Sequence, residues 1–395
     1  MPAVILKKGK ERLIHLKHPW IFSGAIEKIE NVKQSGETVV VKSFDGKELA
    51  LGAISLHSQI AVRIWSFDVN QNIDEDFFSK RIQSAIELRN KIINYNQTNV
   101  YRVINSESDL IPGLITDVYR DFAVCQFLSA GAEFWKGKIV EILKQKLKLQ
   151  NIYERSDTDS RRKENLEERI GVLSGNEPPD LVEVIENNLK FLVDIKSGHK
   201  TGFYIDQRDN RKILSDFAKD KSVLNCFSYT GGFSIYAHSS KAKSITNIDS
   251  SSTALNILLK NFSLNDYSSD KVENIEGDVF NVLRKFRDER RTFDLVILDP
   301  PKFAESASQI NKAARGYKDI NLLAMKILNP GGFLFTFSCS GHITQELFRK
   351  IVDDAAIDSG RSVKIIKQLT QSADHPVLSS FPEGLYLKGL VCEVV

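Results

Sequence analysis

A chain of 395 residues that is 42% hydrophobic and 27% charged can fill two or three packed cores, and its composition excludes a disordered, collagenous or membrane-embedded class. A net charge of +3 permits a nucleic-acid partner but lacks the basic excess that would demand one. Cys125, Cys226, Cys339 and Cys392 form no Cys-x-x-Cys pair and no membrane-length apolar run exists, so no metal site, disulfide framework, signal peptide or membrane span is expected and a reducing cytoplasm is.

Residues 1–72 read as short strands between turn signals at Gly36, Asp45-Gly46 and Gly52, which predicts a small β-rich module. Lys7, Lys8, Lys10, Arg12 and Lys17 run into His18-Pro19-Trp20-Ile21-Phe22-Ser23-Gly24. Cations that meet phosphate and rings that stack on bases suit RNA, with Trp20 as the candidate contact. A solvated strand followed by core aromatics explains the same residues.

Residues 73–182 form a second predicted unit. The spacing of Phe77, Phe78, Ile82, Ala85, Ile86 and Leu88 predicts a linking helix. Strands at 101–104 and 122–127 then precede an amphipathic helix near 134–147, and Gly175-Asn176-Glu177-Pro178-Pro179 marks the boundary. Arg155-Ser156-Asp157 and Arg161-Arg162-Lys163-Glu164 read as a mixed-charge, solvated surface. No internal repeat is visible.

From 183 to 395, strand-like runs alternate with helical patterns, which predicts an α/β, doubly wound, Rossmann-like sheet. The run 222–227 opens into Ser228-Tyr229-Thr230-Gly231-Gly232-Phe233. The run 244–249 ends in Asp249, about the distance beyond the glycines expected of a ribose-binding acid. Gly277-Asp278-Val279 follows a third strand, and Phe293-Asp294-Leu295-Val296-Ile297-Leu298 stops at Asp299-Pro300-Pro301-Lys302-Phe303. Neither proline donates a backbone hydrogen bond, so Asp299 and Phe303 must sit at a strand's carboxyl end, where open α/β sheets bind ligands. A strand at 333–337, after a stop at Asn329-Pro330-Gly331-Gly332, ends in Ser338-Cys339-Ser340.

Polar ends on four strands carry the functional reading. Glycines let a ligand approach backbone, one acid accepts from ribose hydroxyls, and a second can take an adenine amine. A nicotinamide dinucleotide satisfies the first two features; the third and fourth favour S-adenosylmethionine. Cys339 is a packed thiol by default, yet its position next to the Asp299 strand also suits addition to C6 of a cytosine, because a thiol supplies some thiolate near neutral pH. Lys302 either approaches phosphate or is simply exposed. Arg315-Gly316-Tyr317 either lines a substrate cleft or caps a helix. His199, His342 and His375 are not spaced as metal ligands.

These motifs together with Lys200-Thr201-Gly202-Phe203-Tyr204-Ile205-Asp206-Gln207-Arg208-Asp209-Asn210-Arg211, Asn225-Cys226-Phe227-Ser228-Tyr229-Thr230-Gly231-Gly232-Phe233 and Ser106-Glu107-Ser108-Asp109-Leu110-Ile111-Pro112-Gly113-Leu114 resemble the bacterial 23S ribosomal RNA 5-methylcytosine methyltransferase family. The resemblance spans essentially the whole chain. It implies a PUA domain, a small central α/β domain and a class I S-adenosylmethionine-dependent methyltransferase domain. It also implies that Thr201, Gly202, Phe203, Gln207, Phe227, Ser228, Gly231, Gly232 and Phe233 hold the methionine part of the cofactor. Asp249, with Ser250 beside it, would bind ribose, Asp278 and Val279 the adenine, and Asp299 would line both cofactor and base. Cys339 would be the nucleophile, with Pro300, Lys302, Phe303, Arg315, Tyr317 and Trp20 facing 23S ribosomal RNA. No membrane or metal partner follows from it, and a homodimer stays open. Asn165 departs from a glycine usual in the family. Methylation of another position, such as guanine N7, needs no thiol and shares the Asp-Pro-Pro-aromatic pattern; a non-catalytic RNA-binding ribosome assembly factor is the alternative outside enzymes.

Overall fold

A computed structural model describes residues 2–304 and 306–395. The chain packs as two units. One comprises everything up to Ile185 with 193–205 and 373–384; the other comprises 186–192, 206–372 and 385–395. Segments 193–205 and 373–384 fall in the range assigned from sequence to the third domain and pack with the first unit.

Within the first unit, six strands form one sheet in the order Trp20–Phe22, Ile60–Ser66, Glu48–Ile54, Thr38–Lys42, Ala3–Leu6, Ile26–Glu30. Neighbours are antiparallel except Ala3–Leu6 against Thr38–Lys42. Its core is Val4, Leu6, Val39, Val41, Ile54 and Val62. A five-stranded sheet, containing Val100–Asn105, Leu114–Tyr119 and Phe122–Phe127, has a separate core under the helices Glu75–Ile92 and Lys136–Leu147. The helix Glu75–Ile92 begins where Asp74 accepts from the Phe77 amide at 2.9 Å, satisfying one of the donors a helix start leaves open.

The mixed-charge cluster is only partly solvated: Arg162 and Lys163 are exposed. Arg155, Arg161 and Glu164 are buried. Arg161 donates to the Phe127 carbonyl and to Glu133, Arg155 donates to Asp157 and the Ile195 and Gly198 carbonyls, and Glu164 accepts from Arg63. Backbone carbonyls and opposite charges from elements distant in sequence offset the desolvation cost, which local composition cannot reveal. Asn165 adopts φ +57°, a left-handed conformation that asparagine tolerates and that explains why glycine also suits the position.

The second unit holds a seven-stranded sheet: β1 (Ser222–Cys226), β2 (Ser244–Asp249), β3 (Val272–Glu276), β4 (Phe293–Leu298), β5 (Leu328–Ser338), β6 (Val363–Leu369) and β7 (Lys388–Val394), in the order β3-β2-β1-β4-β5-β7-β6. All neighbours are parallel except β5–β7 and β7–β6. The doubly wound expectation therefore holds. β1 and β4 are adjacent while the chain winds away from them in opposite directions, so the ligand crevice belongs at their carboxyl ends. The helices are α1 (Arg208–Ala218), α2 (Gly232–Ser239), α3 (Ser252–Leu264), α4 (Val279–Asp288), α5 (Ile310–Ile327) and α6 (Gln345–Ser359).

One strand differs from expectation. β5 starts at Leu328 and runs through Asn329-Pro330-Gly331-Gly332, because Leu328 pairs with Phe293 before a register shift that absorbs the Pro-Gly pair. Among the described residues, no helix is long and apolar enough to cross a membrane, and no cluster of three or more His, Cys, Asp or Glu could hold a metal ion.

Candidate active site

The turn after β1 is the most tightly determined part of the sheet edge. Phe227, Tyr229 and Gly231 all have positive φ, at +59°, +47° and +81°. A Cβ on Gly231 would lie 2.5 Å from Leu258 Cγ, so both conformation and space require glycine there. Asp249 fixes the turn from β2: its carboxylate accepts from the Tyr229 amide at 2.7 Å and from the Ser251 amide at 2.9 Å. Beneath, Asn225, Asn247 and Asn274 stand in register across β1, β2 and β3. Asn225 Nδ2 donates to Ser234 Oγ at 2.8 Å, Ser234 donates to Asn247, and Asn247 Nδ2 donates to Asn274 Oδ1 at 2.8 Å.

Arg211 on α1 backs this turn. It is buried and donates twice to Glu186, at 2.8 and 2.6 Å, and Glu186 also accepts from Tyr236 at 3.0 Å. A Cβ on Gly232 would come within 3.1 Å of the Arg211 side chain, so the second glycine lets α2 start close to the pair. The sequence reading missed Glu186 and Tyr236; neither carries a local signal.

At the other side of the crevice, the Asp299-Pro-Pro turn is tied to the end of β5 by Ser340. Ser340 Oγ accepts from the Phe303 and Ala304 amides, at 3.2 and 3.3 Å, and shares a 3.0 Å hydrogen bond with Tyr317 Oη. Cys339 Sγ lies 3.9 Å from the Pro300 carbonyl. Thus the structure brings Cys339 and Asp299-Pro300-Pro301-Lys302-Phe303 together. Cys339 is partly exposed while the other three cysteines are buried. Burial pushes the Cys125 and Cys392 thiols up to about 12 and Cys226 higher still, leaving them inert.

The remaining sequence candidates divide by burial. Asp299 and Phe303 are half-buried, Pro300 is buried, and Lys302 and Arg315 are exposed. Phe303 packs on Tyr317, ring centroids 4.6 Å apart, and tilts toward Phe280 at 6.0 Å. Tyr317 itself is fully buried, so it supports Phe303 from behind and is corrected from an RNA contact to a backing residue. Asp278 is exposed and caps α4 through the Asn281 amide at 3.0 Å, with Val279 buried behind it; Ser250 is exposed and Phe233 packs against Phe337.

Thr201, Gly202 and Phe203 belong to the first unit. Thr201 is fully buried and donates to Asp117 at 2.6 Å beside Tyr119 Oη, so its hydroxyl is corrected from a ligand group to a structural one. Trp20 is likewise committed in that unit. Its indole donates to Glu107 at 2.8 Å and its ring meets Phe381 at 4.7 Å, whereas Phe22 and Phe44 are exposed.

A family of S-adenosylmethionine-dependent methyltransferases matches residues 161–383, and a PUA-like domain matches residues 4–67. Ribosomal RNA large subunit methyltransferase I of Vibrio cholerae is 52% identical over 396 residues, covering 100% of both chains. The protein of that name from Aliivibrio fischeri is 50% identical over 393 residues, covering 100% of this chain and 99% of its own. The chain belongs to this S-adenosylmethionine-dependent methyltransferase family. A solved S-adenosylmethionine-dependent methyltransferase structure from Streptococcus mutans superimposes with a TM-score of 0.86 at 22% identity over the whole of both chains. A methyltransferase crystallised with S-adenosylhomocysteine gives 0.87, also at 22%. These two likenesses speak for the fold.

The second unit of this methyltransferase has residues that fit the cofactor. Gln207 Nε2, Ser228 Oγ and Thr230 Oγ1 are buried with no hydrogen-bond partner among the described residues. Asn210 donates to Gln207 Oε1 at 2.6 Å and so orients the amide with its NH2 group unspent. Buried polar groups without partners are costly and rare; two of these three stand on the glycine turn, and such groups are what a polar ligand would satisfy.

Proposed function

We propose that this methyltransferase modifies the 23S ribosomal RNA of the large subunit, placing a methyl group on C5 of a cytosine through a transient Cys339–C6 bond. The substrate class follows the naming of the full-length relatives and agrees with the PUA-like domain. A ribosomal substrate also implies the cytoplasm. The observation that carries the chemistry is Cys339, the one partly exposed cysteine of four, at a strand end against the Pro300 carbonyl of the Asp299-Pro-Pro turn.

Gln207, Ser228, Thr230, the Gly231–Gly232 turn and Asp249 would hold S-adenosylmethionine, with Asp278 and Val279 toward the adenine. The bound cofactor supplies an electrophilic methyl group. Cytosine C5 is a poor nucleophile until a group adds to C6. Cys339 thiolate adds there, and the electron density released to C5 makes that carbon nucleophilic toward the methyl group that the sulfonium of the cofactor would give up. Removal of the C5 proton then regenerates the C5–C6 double bond and expels the thiolate. Asp299 accepts a hydrogen bond from the exocyclic amine at the base edge and so orients the base for addition. Phe303, stiffened by Tyr317 and Ser340, provides the face on which the base rests once it leaves its stack, and Lys302 and Arg315 meet the phosphates.

Cys339→Ala is expected to lower RNA methylation at least about a thousandfold while S-adenosylmethionine binding persists, since covalent catalysis is lost but the cofactor site is not. RNA carrying 5-fluorocytosine should be trapped as a stable adduct by the wild type alone. Methylation near the normal rate by Cys339→Ala would sink the covalent step. Nucleoside mass spectrometry of the product would reveal guanine N7 methylation if that is the reaction.

A further inference from the structure

A buried lysine stands beside the proposed nucleophile. Lys388 opens β7 and pairs in register with Ser338, the residue before Cys339. It is 5% exposed, and its ammonium donates to the Ser340 carbonyl at 2.7 Å, the residue after Cys339. No carboxylate pairs with it among the described residues. Burial pulls its pKa down to about 8, while the charge of Cys339 works to raise it and that of Lys302 to lower it. A lysine without an acidic partner is costly to bury, so such a position calls for another anion nearby.

We infer that Lys388 is a positioning residue that holds Cys339 in its thiolate form, through its ammonium and its bond to the carbonyl that follows the cysteine. The inference rests on the reading of Cys339 as nucleophile. The thiol proton passes to solvent, and the thiolate remains beside a cation that has no other counter-charge. Other charges lie nearby. Lys302 adds a positive charge that acts on Lys388, Asp299 follows β4, the strand next to β5, and Tyr317 on α5 stays neutral because burial raises its pKa and Cys339 adds to the rise. Lys388 is the buried cation of the set, so its field is the least screened by water.

The test is alkylation of full-length protein by iodoacetamide across pH without RNA, with the Cys339 peptide read by mass spectrometry. Lys388→Met is expected to move the midpoint up by about one pH unit, equivalent to about tenfold less thiolate below the midpoint. Lys388→Arg should keep the midpoint near wild type. An unchanged midpoint in folded Lys388→Met overturns the inference. If Lys388→Met does not fold, the reciprocal titration decides: the Lys388 amine, followed by 15N-lysine NMR, should titrate at lower pH in Cys339→Ala, and no change overturns the inference. Alkylation involves no methyl transfer, so an active Cys339→Ala enzyme would refute the nucleophile reading without touching this result.

Discussion

At the scale of single residues, two positions are fixed for opposite reasons. Gly231 is fixed by backbone conformation and by Leu258, both local to the turn after β1. Gly231→Ala would strain the turn and crowd α3, displacing the amides and hydroxyls proposed to hold the cofactor. S-adenosylmethionine affinity by calorimetry is expected to fall at least about tenfold, about 1.4 kcal/mol; an unchanged affinity would mean that the turn does not shape the site. On the proposed mechanism, Cys339 is fixed by reactivity. Its chain neighbours are ordinary for a strand end, but its partial exposure separates it from three cysteines whose thiols are held protonated by burial.

At the scale of elements, the parallel strands β1, β2 and β3 share a polar ladder. Asn225, Asn247 and Asn274 with Ser234 run across them beneath the glycine turn. Asn225 Oδ1 is already buried without a partner among the described residues, and losing a further member would leave others buried and unpaired. Asn247→Ala is expected to destabilise the protein by about 1–3 kcal/mol in urea unfolding. An effect within a few tenths of wild type would show that the ladder is incidental. The same logic applies to β5 and the turn after β4: Ser340 joins them by accepting two amides and pairing with Tyr317, so the carboxyl ends of these strands are tied together.

At the scale of the whole molecule, each unit has its own cores, and ligand linkage offers a direct check on the cofactor site. S-adenosylmethionine at a hundred times its dissociation constant should stabilise the native protein by about 2.7 kcal/mol, read as a rise in the calorimetric transition temperature. Ser228→Ala combined with Gln207→Leu should reduce that rise, because both remove polar atoms that the fold leaves unpaired. A full rise in the double variant would place the cofactor elsewhere.

The doubly wound sheet and the polar strand ends were legible in the sequence, because period-two and helical patterns, glycine turns and Asp299-Pro-Pro act through neighbouring residues. The match of long motifs in order pointed to the methyltransferase family for the same reason. Charges were misread wherever their partners are distant. Arg161 looked solvated until a carbonyl and an acid from other elements met it, and Glu164 until Arg63 and the Ala130 amide did, while Thr201 and Tyr317 looked like ligand contacts until packing enclosed them. Lys388 lay unnoticed in a short apolar run. Only the pairing of β7 with β5 sets it beside Cys339, since strand register joins residues that no sequence window contains. Sequence thus determined which chemistry the chain carries, and tertiary structure decided which groups are buried, paired and close enough to tune it.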